Sequence, residues 1–261
     1  MSNLEALSLV LEELALITAP ALLIGLMVAV VHVRFGIEVL RRGIIFIDLS
    51  VAQIATLGIV VSRLLFNTHN IIVTSGAALI FALLAGALFR YIEVKNPKNQ
   101  EAWIGVFYVL PASLIILLLI NEPHGAQELQ NTLSGQILFS TFTDVIVFLP
   151  LFAGILLCSP LVNKTDGGIG FYILFALTIT TSVQLVGIYV VFITLVVPAL
   201  IAGNKPKAQR VAMTFTVTAM IMSILISTLV DLPTGPSIVV GYGVLALMLL
   251  IINPKNNQSA S

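Results

Sequence analysis

The sequence predicts an all-α, polytopic membrane protein of about eight or nine transmembrane helices in a single domain, residues 1–261. Three observations carry that prediction. Of the 261 residues, 59% are hydrophobic and only 9% are charged, whereas soluble domains run about 45–50% apolar and roughly 25% charged. The mean hydropathy is +1.11. The apolar residues also fall into runs of span length with short polar breaks between them. If a span takes about 20 residues, nine spans take about 180 and leave roughly 80 for loops and ends. Lipid cannot satisfy open backbone groups, so each run is expected to be helical. The same figures exclude a soluble enzyme, a disordered chain and a nucleic-acid binder with a basic face.

The first run covers residues 14–33. Leu4, Leu7, Leu11 and Leu14 precede it at helical spacing, so residues 1–13 are expected as an interfacial helix or as an extension of the span. Glu5, Glu12 and Glu13 stand where a signal peptide would be basic, so this span is expected to stay in the mature chain. Further spans are predicted at residues 43–62, 71–90, 102–120 and 144–162. Between the last two lies the longest connection, 121–143, with Leu133-Ser134-Gly135-Gln136 as the start of a short surface helix. Residues 209–229 and 236–252 complete the set, and the polar tail 253–261 is expected to be mobile.

Residues 170–202 form one apolar run of 33 with a single internal break at Gly187. Charge decides how to read it. With the loop holding Arg34, Arg41 and Arg42 placed inside, a break at Gly187 puts 11 of the 12 basic residues on the inner side and leaves only Arg63 outside. Without the break, Lys205, Lys207 and Arg210 would lie outside. A broken pair, 170–186 and 188–202, is therefore predicted.

The sequence contains no phosphate-cradling G-x-x-x-x-G-K-[ST], no H-E-x-x-H, no C-x-x-C and no G-x-S-x-G, so nothing points to catalysis. The lone Cys158 excludes an internal disulfide and reads as a small apolar residue in a span. His32, His69 and His124 fall in or near different loops and read as solvated, with His124 the best placed as a transient ligand. Ionisable residues inside spans are costly and become functional candidates. Asp48 is the foremost, and Ser50, Gln53 and Thr56 follow it as a polar stripe on one helix. The alternative is a structural seam with Asp48 paired to Arg41 or Arg42. Asp231 opens Asp231-Leu232-Pro233-Thr234-Gly235-Pro236, a rigid outer turn or a second pathway residue. Gln184 with Thr178, Thr180, Thr181 and Ser182 could line a pore, although such hydroxyls commonly bond across helices or back to their own backbone.

Separated motifs resemble one family, the permease subunits of divalent-metal (zinc/manganese/iron) ABC importers. Gly36-Ile37-Glu38-Val39-Leu40-Arg41-Arg42, with Asp48-Leu49-Ser50 after it, is similar to the family's G-x-x-V-L-R-R and D-x-x-S-H elements. V-Q-L-V-G-I-Y-V-V-F-I-T-L-V-V-P-A-L-I-A over residues 183–202 resembles V-G-x-x-L-V-x-A-L-L-V-I-P-A-A-x-A. D-L-P-T-G-P-S-I-V over 231–239 resembles L-P-T-G-P-x-I-V, and L-S-G-Q-I-L over 133–138 resembles L-F-G-x-I-L.

The resemblance implies alternating access in the bacterial inner membrane, with a second permease copy, two separate ATPase subunits and an extracytoplasmic substrate-binding protein. It implies no cofactor on this chain, with ATP and magnesium held by the ATPase and a metal ion or metal complex as cargo. It implies ATPase coupling through the segment holding Pro198, Gly203, Asn204, Lys205, Pro206 and Lys207. It implies a translocation pathway along Asp48, Ser50, Gln53 and Thr56, with Asp231, and metal contact at Asp48 and Asp231. The sequence departs from the family where a histidine should follow the aspartate: Ala52 or Gln53 stands there, and Leu57 stands where proline is usual. A glutamine oxygen replaces imidazole poorly for zinc or manganese. The competing reading is a stand-alone secondary transporter or channel with Asp48 as a cation or proton relay.

Overall fold

The computed structural model describes residues 3–68, 70–165, 168–203 and 207–252. In chain order its helices are α1 (Asn3–Arg42), α2 (Ile47–Phe66), α3 (Ile71–Lys95), α4 (Gln100–Leu119), α5 (Gly125–Ser134), α6 (Phe142–Thr165), α7 (Ile169–Val186), α8 (Ile188–Ala202), α9 (Ala208–Val230) and α10 (Thr234–Ile252). Short 3₁₀ turns precede α4 and α6. Among the described residues, eight helices are long and apolar enough to cross a membrane, and α8 is a shorter apolar helix.

The broken pair forms where the charge count requires it. Gly187 adopts φ +84°, a conformation that other residues rarely take, and separates α7 from α8. Its N–H closes α7 on Val183 O, and its own carbonyl opens α8 by accepting from Val191 N. Gly43, at φ +68°, stops α1: its N–H donates to Leu40 O and that of Ile44 donates to Val39 O. Asn70 caps α3, its side chain accepting from Ile72 N at 2.9 Å.

Two expectations are corrected. Residues 34–42 are not a loop: α1 runs on as helix to Arg42, while at its other end the same helix is continuous from Asn3, the extension of the span that was one of the two alternatives. The extension is stabilised from within, because Glu38 meets Arg41 and Arg42 three and four residues on, both at 2.7 Å. The 133–138 element is also no surface helix. α5 ends at Ser134, and the chain then turns inward so that Ile137 is buried. Gly135 and Gly187 touch through their backbones, and a Cβ on Gly235 would lie 1.7 Å from Ser134 O. Backbones can approach this closely only where side chains are missing. The tail 253–261 lies outside the described residues.

Contacts assign the helix ends to two faces. At one, Arg42 bridges to Glu93 of α3 at 3.2 Å, and its guanidinium lies 4.3 Å above the Phe171 ring at the start of α7. Arg90 pairs with the same Glu93. Gln100 donates to Tyr172 Oη at 2.8 Å, and Val33 packs with Ala202 and Ala212. Arg42, Arg90 and the end of α8 thus share one face, as the charge count requires. At the other face Ser75 donates to Gln184 Oε1 at 2.9 Å, and Ser227 bonds Thr234 at 2.8 Å.

Candidate functional site

α2 carries the site. Asp48, Ala52, Thr56, Ile59 and Arg63 recur at helical spacing and form one stripe along it. Asp48 lies in the first turn of α2 and is fully buried, and no side chain pairs with its carboxylate, which faces only the backbone N–H groups of Asp48 and Leu49 at the helix start. The positive end of the α2 dipole is the main compensation left to it. Arg41 and Arg42 do not reach it, because Glu38, on their own helix, holds both. The pairing of Asp48 with Arg41 or Arg42 that the structural-seam alternative named is therefore not formed. Glu101 at the start of α4 is a second carboxylate on this side, and it accepts from Phe46 N at 3.2 Å.

The other predicted stripe residues have distinct roles. Ser50 donates to Ile104 O at 2.7 Å and ties α2 to α4. Gln53 is buried with its Oε1 unpartnered. Thr56 donates to Ala52 O at 2.9 Å and also borders a cavity of about 460 Å³ at the outer end. Arg63, His124, Gln127, Gln136 and Gln184 contribute the other main polar lining. At 1.5 Å per residue, Thr56 is roughly 12 Å along α2 from Asp48. The stripe thus runs from the outer cavity down to a buried carboxylate. Ala52 and Gln53, the two positions at which the resemblance leads one to expect a histidine, lie between the two.

Asp231 lies elsewhere. It is exposed, in the left-handed conformation at φ +57°, and it closes α9 on the outer face. Asp48 begins α2 beside the start of α4, so the two aspartates do not meet in one metal site. Among the described residues no three His, Cys, Asp or Glu side chains are close enough to hold a metal ion together.

Of the predicted coupling residues, Pro198 is buried in α8, Gly203 ends that helix at φ +54°, and Lys207 is exposed just before α9. Asn204, Lys205 and Pro206 lie outside the described residues. The α7 hydroxyls mostly bond back, Thr178 to Leu174 O, Thr180 to Ala176 O and Thr181 to Leu177 O. Ser182 is the exception and bonds His32.

His32 corrects the sequence reading outright. It is not a loop histidine but a fully buried member of α1. Its position between Val31 and Val33 was the available signal. His124 does lie on the outer face, at the start of α5, whereas His69 lies outside the described residues. Cys158 is exposed on α6.

Comparison with known proteins adds three findings. The family model described as "ABC 3 transport family" matches residues 15–166 and 167–253. The chain is 22% identical over 258 residues to the "Manganese transport system membrane protein MntC" of Halalkalibacterium halodurans, covering 90% of this chain and 85% of that one. Its fold matches the solved structure "PsaBC from Streptococcus pneumoniae in complex with Fab" with TM-score 0.71 and 22% identity, over 92% of this chain and 93% of that one.

Proposed function

This chain belongs to the ABC 3 transport family, and from that premise we propose that its cargo is a divalent transition metal, manganese first, carried as the ion or as a complex. It is a membrane permease subunit of an ABC import system and is not itself catalytic. Membership in that family sets aside the stand-alone transporter or channel.

The observation that carries the cargo reading is Asp48. A buried carboxylate that no side chain pairs with is expensive to keep. It stands on the same α2 stripe that opens at Thr56 into the outer cavity. Cargo enters from the cavity lined by His124, Gln136 and Gln184, passes Thr56 and Gln53, and meets Asp48. With no histidine at position 52, Asp48 supplies a weak oxygen site suited to transit rather than storage. Asp231 serves the pathway only as the rigid outer turn that orients α10.

The coupling segment from Pro198 through Gly203, Asn204, Lys205 and Pro206 to Lys207 receives the ATPase. Support comes from the residues that flank it: Ala202, at the end of α8, packs with Val33 of α1 and Ala212 of α9. The complete transporter comprises two permease copies and two ATPase subunits, which hold ATP and magnesium, with an extracytoplasmic binding protein on the other face. The chain spans the bacterial inner membrane with its basic face inward.

The test is uptake of labelled manganese, zinc and iron by cells that depend on this permease, with and without Asp48→Asn. Manganese uptake that falls with Asp48→Asn supports the reading. Uptake of all three metals unchanged by that substitution removes Asp48 from the pathway. Failure of any ATPase subunit to copurify with the chain overturns the coupling assignment.

A further inference from the structure

His32 joins three helices through one imidazole. Its Nδ1 lies 2.8 Å from Thr194 Oγ1 in α8, and its Nε2 lies 3.0 Å from Ser182 Oγ in α7. One tautomer is compatible with every bond in this network. While the Thr194 hydroxyl donates to Val190 O at 2.7 Å, its oxygen accepts from His32. In that arrangement Nδ1 carries the proton, Nε2 is bare, and Ser182 donates to it. Both ring nitrogens are used, and no water is needed to complete the set.

The three helices reach different parts of the proposed machine. α7 continues from Ser182 into Val183 and Gln184, which line the outer cavity. α8 continues from Thr194 through Pro198 to Gly203, where the coupling segment begins. α1 seats directly on α8: a Cβ on Gly36 would lie 2.0 Å from Leu195 O, so the two backbones are in contact. The only covalent link between α7 and α8 is the turn at Gly187, whose glycine backbone can flex. Left to that link, a displacement of α8 would be absorbed at the turn. The imidazole closes the hairpin a second time, five residues before the turn and seven after it.

We propose that His32 is a positioning residue that makes α1, α8 and the outer end of α7 move as one body. Displacement of the coupling segment then reaches the cavity wall instead of dissipating at Gly187. This rests on the permease reading above.

The experiment reconstitutes the permease with its ATPase subunits in liposomes and measures manganese(II) uptake and ATP hydrolysis together. For His32→Leu, uptake per ATP hydrolysed is expected to fall about tenfold, inside the roughly 5–150-fold range of coupling between sites. Hydrolysis and the yield of assembled complex should stay near wild type. His32→Gln, which keeps a donor and an acceptor, should recover part of the ratio. Ser182→Ala combined with Thr194→Val, a milder change, should lower the ratio in the same direction. An unchanged ratio in both variants overturns the proposal. So does a parallel fall of uptake, hydrolysis and assembly without recovery in His32→Gln, which marks an ordinary core histidine. Those results leave the permease reading standing, whereas a wild-type chain without ATPase-driven uptake removes both.

Discussion

α7 and α4 are both spans of similar length, yet they are built on opposite plans. The span window of α7 is 67% buried and that of α4 only 17%. In a soluble protein the more buried helix would be the more apolar. Here α7 carries Thr178, Thr180, Thr181, Ser182 and Gln184, while the middle of α4 is nearly all aliphatic and aromatic. The solvent explains the inversion. Lipid accepts an aliphatic surface without penalty, so α4 gains little by hiding. Polar groups are costly in lipid, so they collect where other helices or their own backbone can satisfy them. Between these two helices, polarity rather than apolarity marks the one that is buried.

The sharpest way to break that comparison is to add one methyl on each side of it. Gly36→Ala places a Cβ 2.0 Å from Leu195 O, a backbone atom that cannot rotate away. The α1–α8 seam must open, and the expected loss is about 3 kcal/mol or more, the upper end of overpacking costs. Gly105→Ala on α4 meets nothing within 4 Å. Its effect should stay within about 0.5 kcal/mol, as for surface substitutions. Thermal unfolding of the two variants in one detergent compares them directly. Equal melting temperatures would mean that the interior is not packed as described.

Asp48 tests the polar side of the same idea, since a site kept for work should be a liability for stability. Asp48→Asn replaces a buried carboxyl that no side chain pairs with and keeps the shape. Stability should hold or rise by about 1 kcal/mol, the scale of relieving an unsatisfied polar group. Manganese uptake should fall about tenfold or more, the equivalent of 1.4 kcal/mol in the barrier. Uptake and melting temperature measured on the same preparation decide it. A fall in both would make Asp48 a structural residue.

Most of the fold was legible because lipid leaves so few options. Run lengths located the spans, and the distribution of Lys and Arg required the break at Gly187 within a run of 33 residues that is long for one span. The site was legible only where one helix contains it. Asp48, Ser50, Gln53 and Thr56 share α2, so their spacing was enough. His32 was missed because its partners are 150 and 162 residues away in sequence. The inward turn after Ser134 was missed for a similar reason, since it depends on Gly187 and Gly235 approaching from two other helices. The false pairing of Asp48 with Arg41 or Arg42 came from treating residues 34–42 as a loop. On a continuous helix, Glu38 is the nearer partner for both arginines.

The smallest effect lies within α7 and separates two kinds of buried hydroxyl. Thr180 spends its hydroxyl on Ala176 O, an oxygen already bonded within the helix. Thr180→Val keeps the shape and removes that redundant bond, so the change should stay below about 0.5 kcal/mol. Ser182 is the donor to His32 Nε2, and Ser182→Ala leaves that nitrogen buried and unpaired. The cost should be about 1–2 kcal/mol, the penalty for an orphaned buried acceptor. Chemical denaturation of both variants, with His32→Leu as the background for a double-mutant cycle, checks the assignment. In that background the Ser182→Ala penalty should vanish while the small Thr180→Val effect remains, because only Ser182 acts through the imidazole. A Ser182→Ala penalty that persists without His32 would place the serine's contribution in α7 alone and return it to the same class as its threonine neighbours.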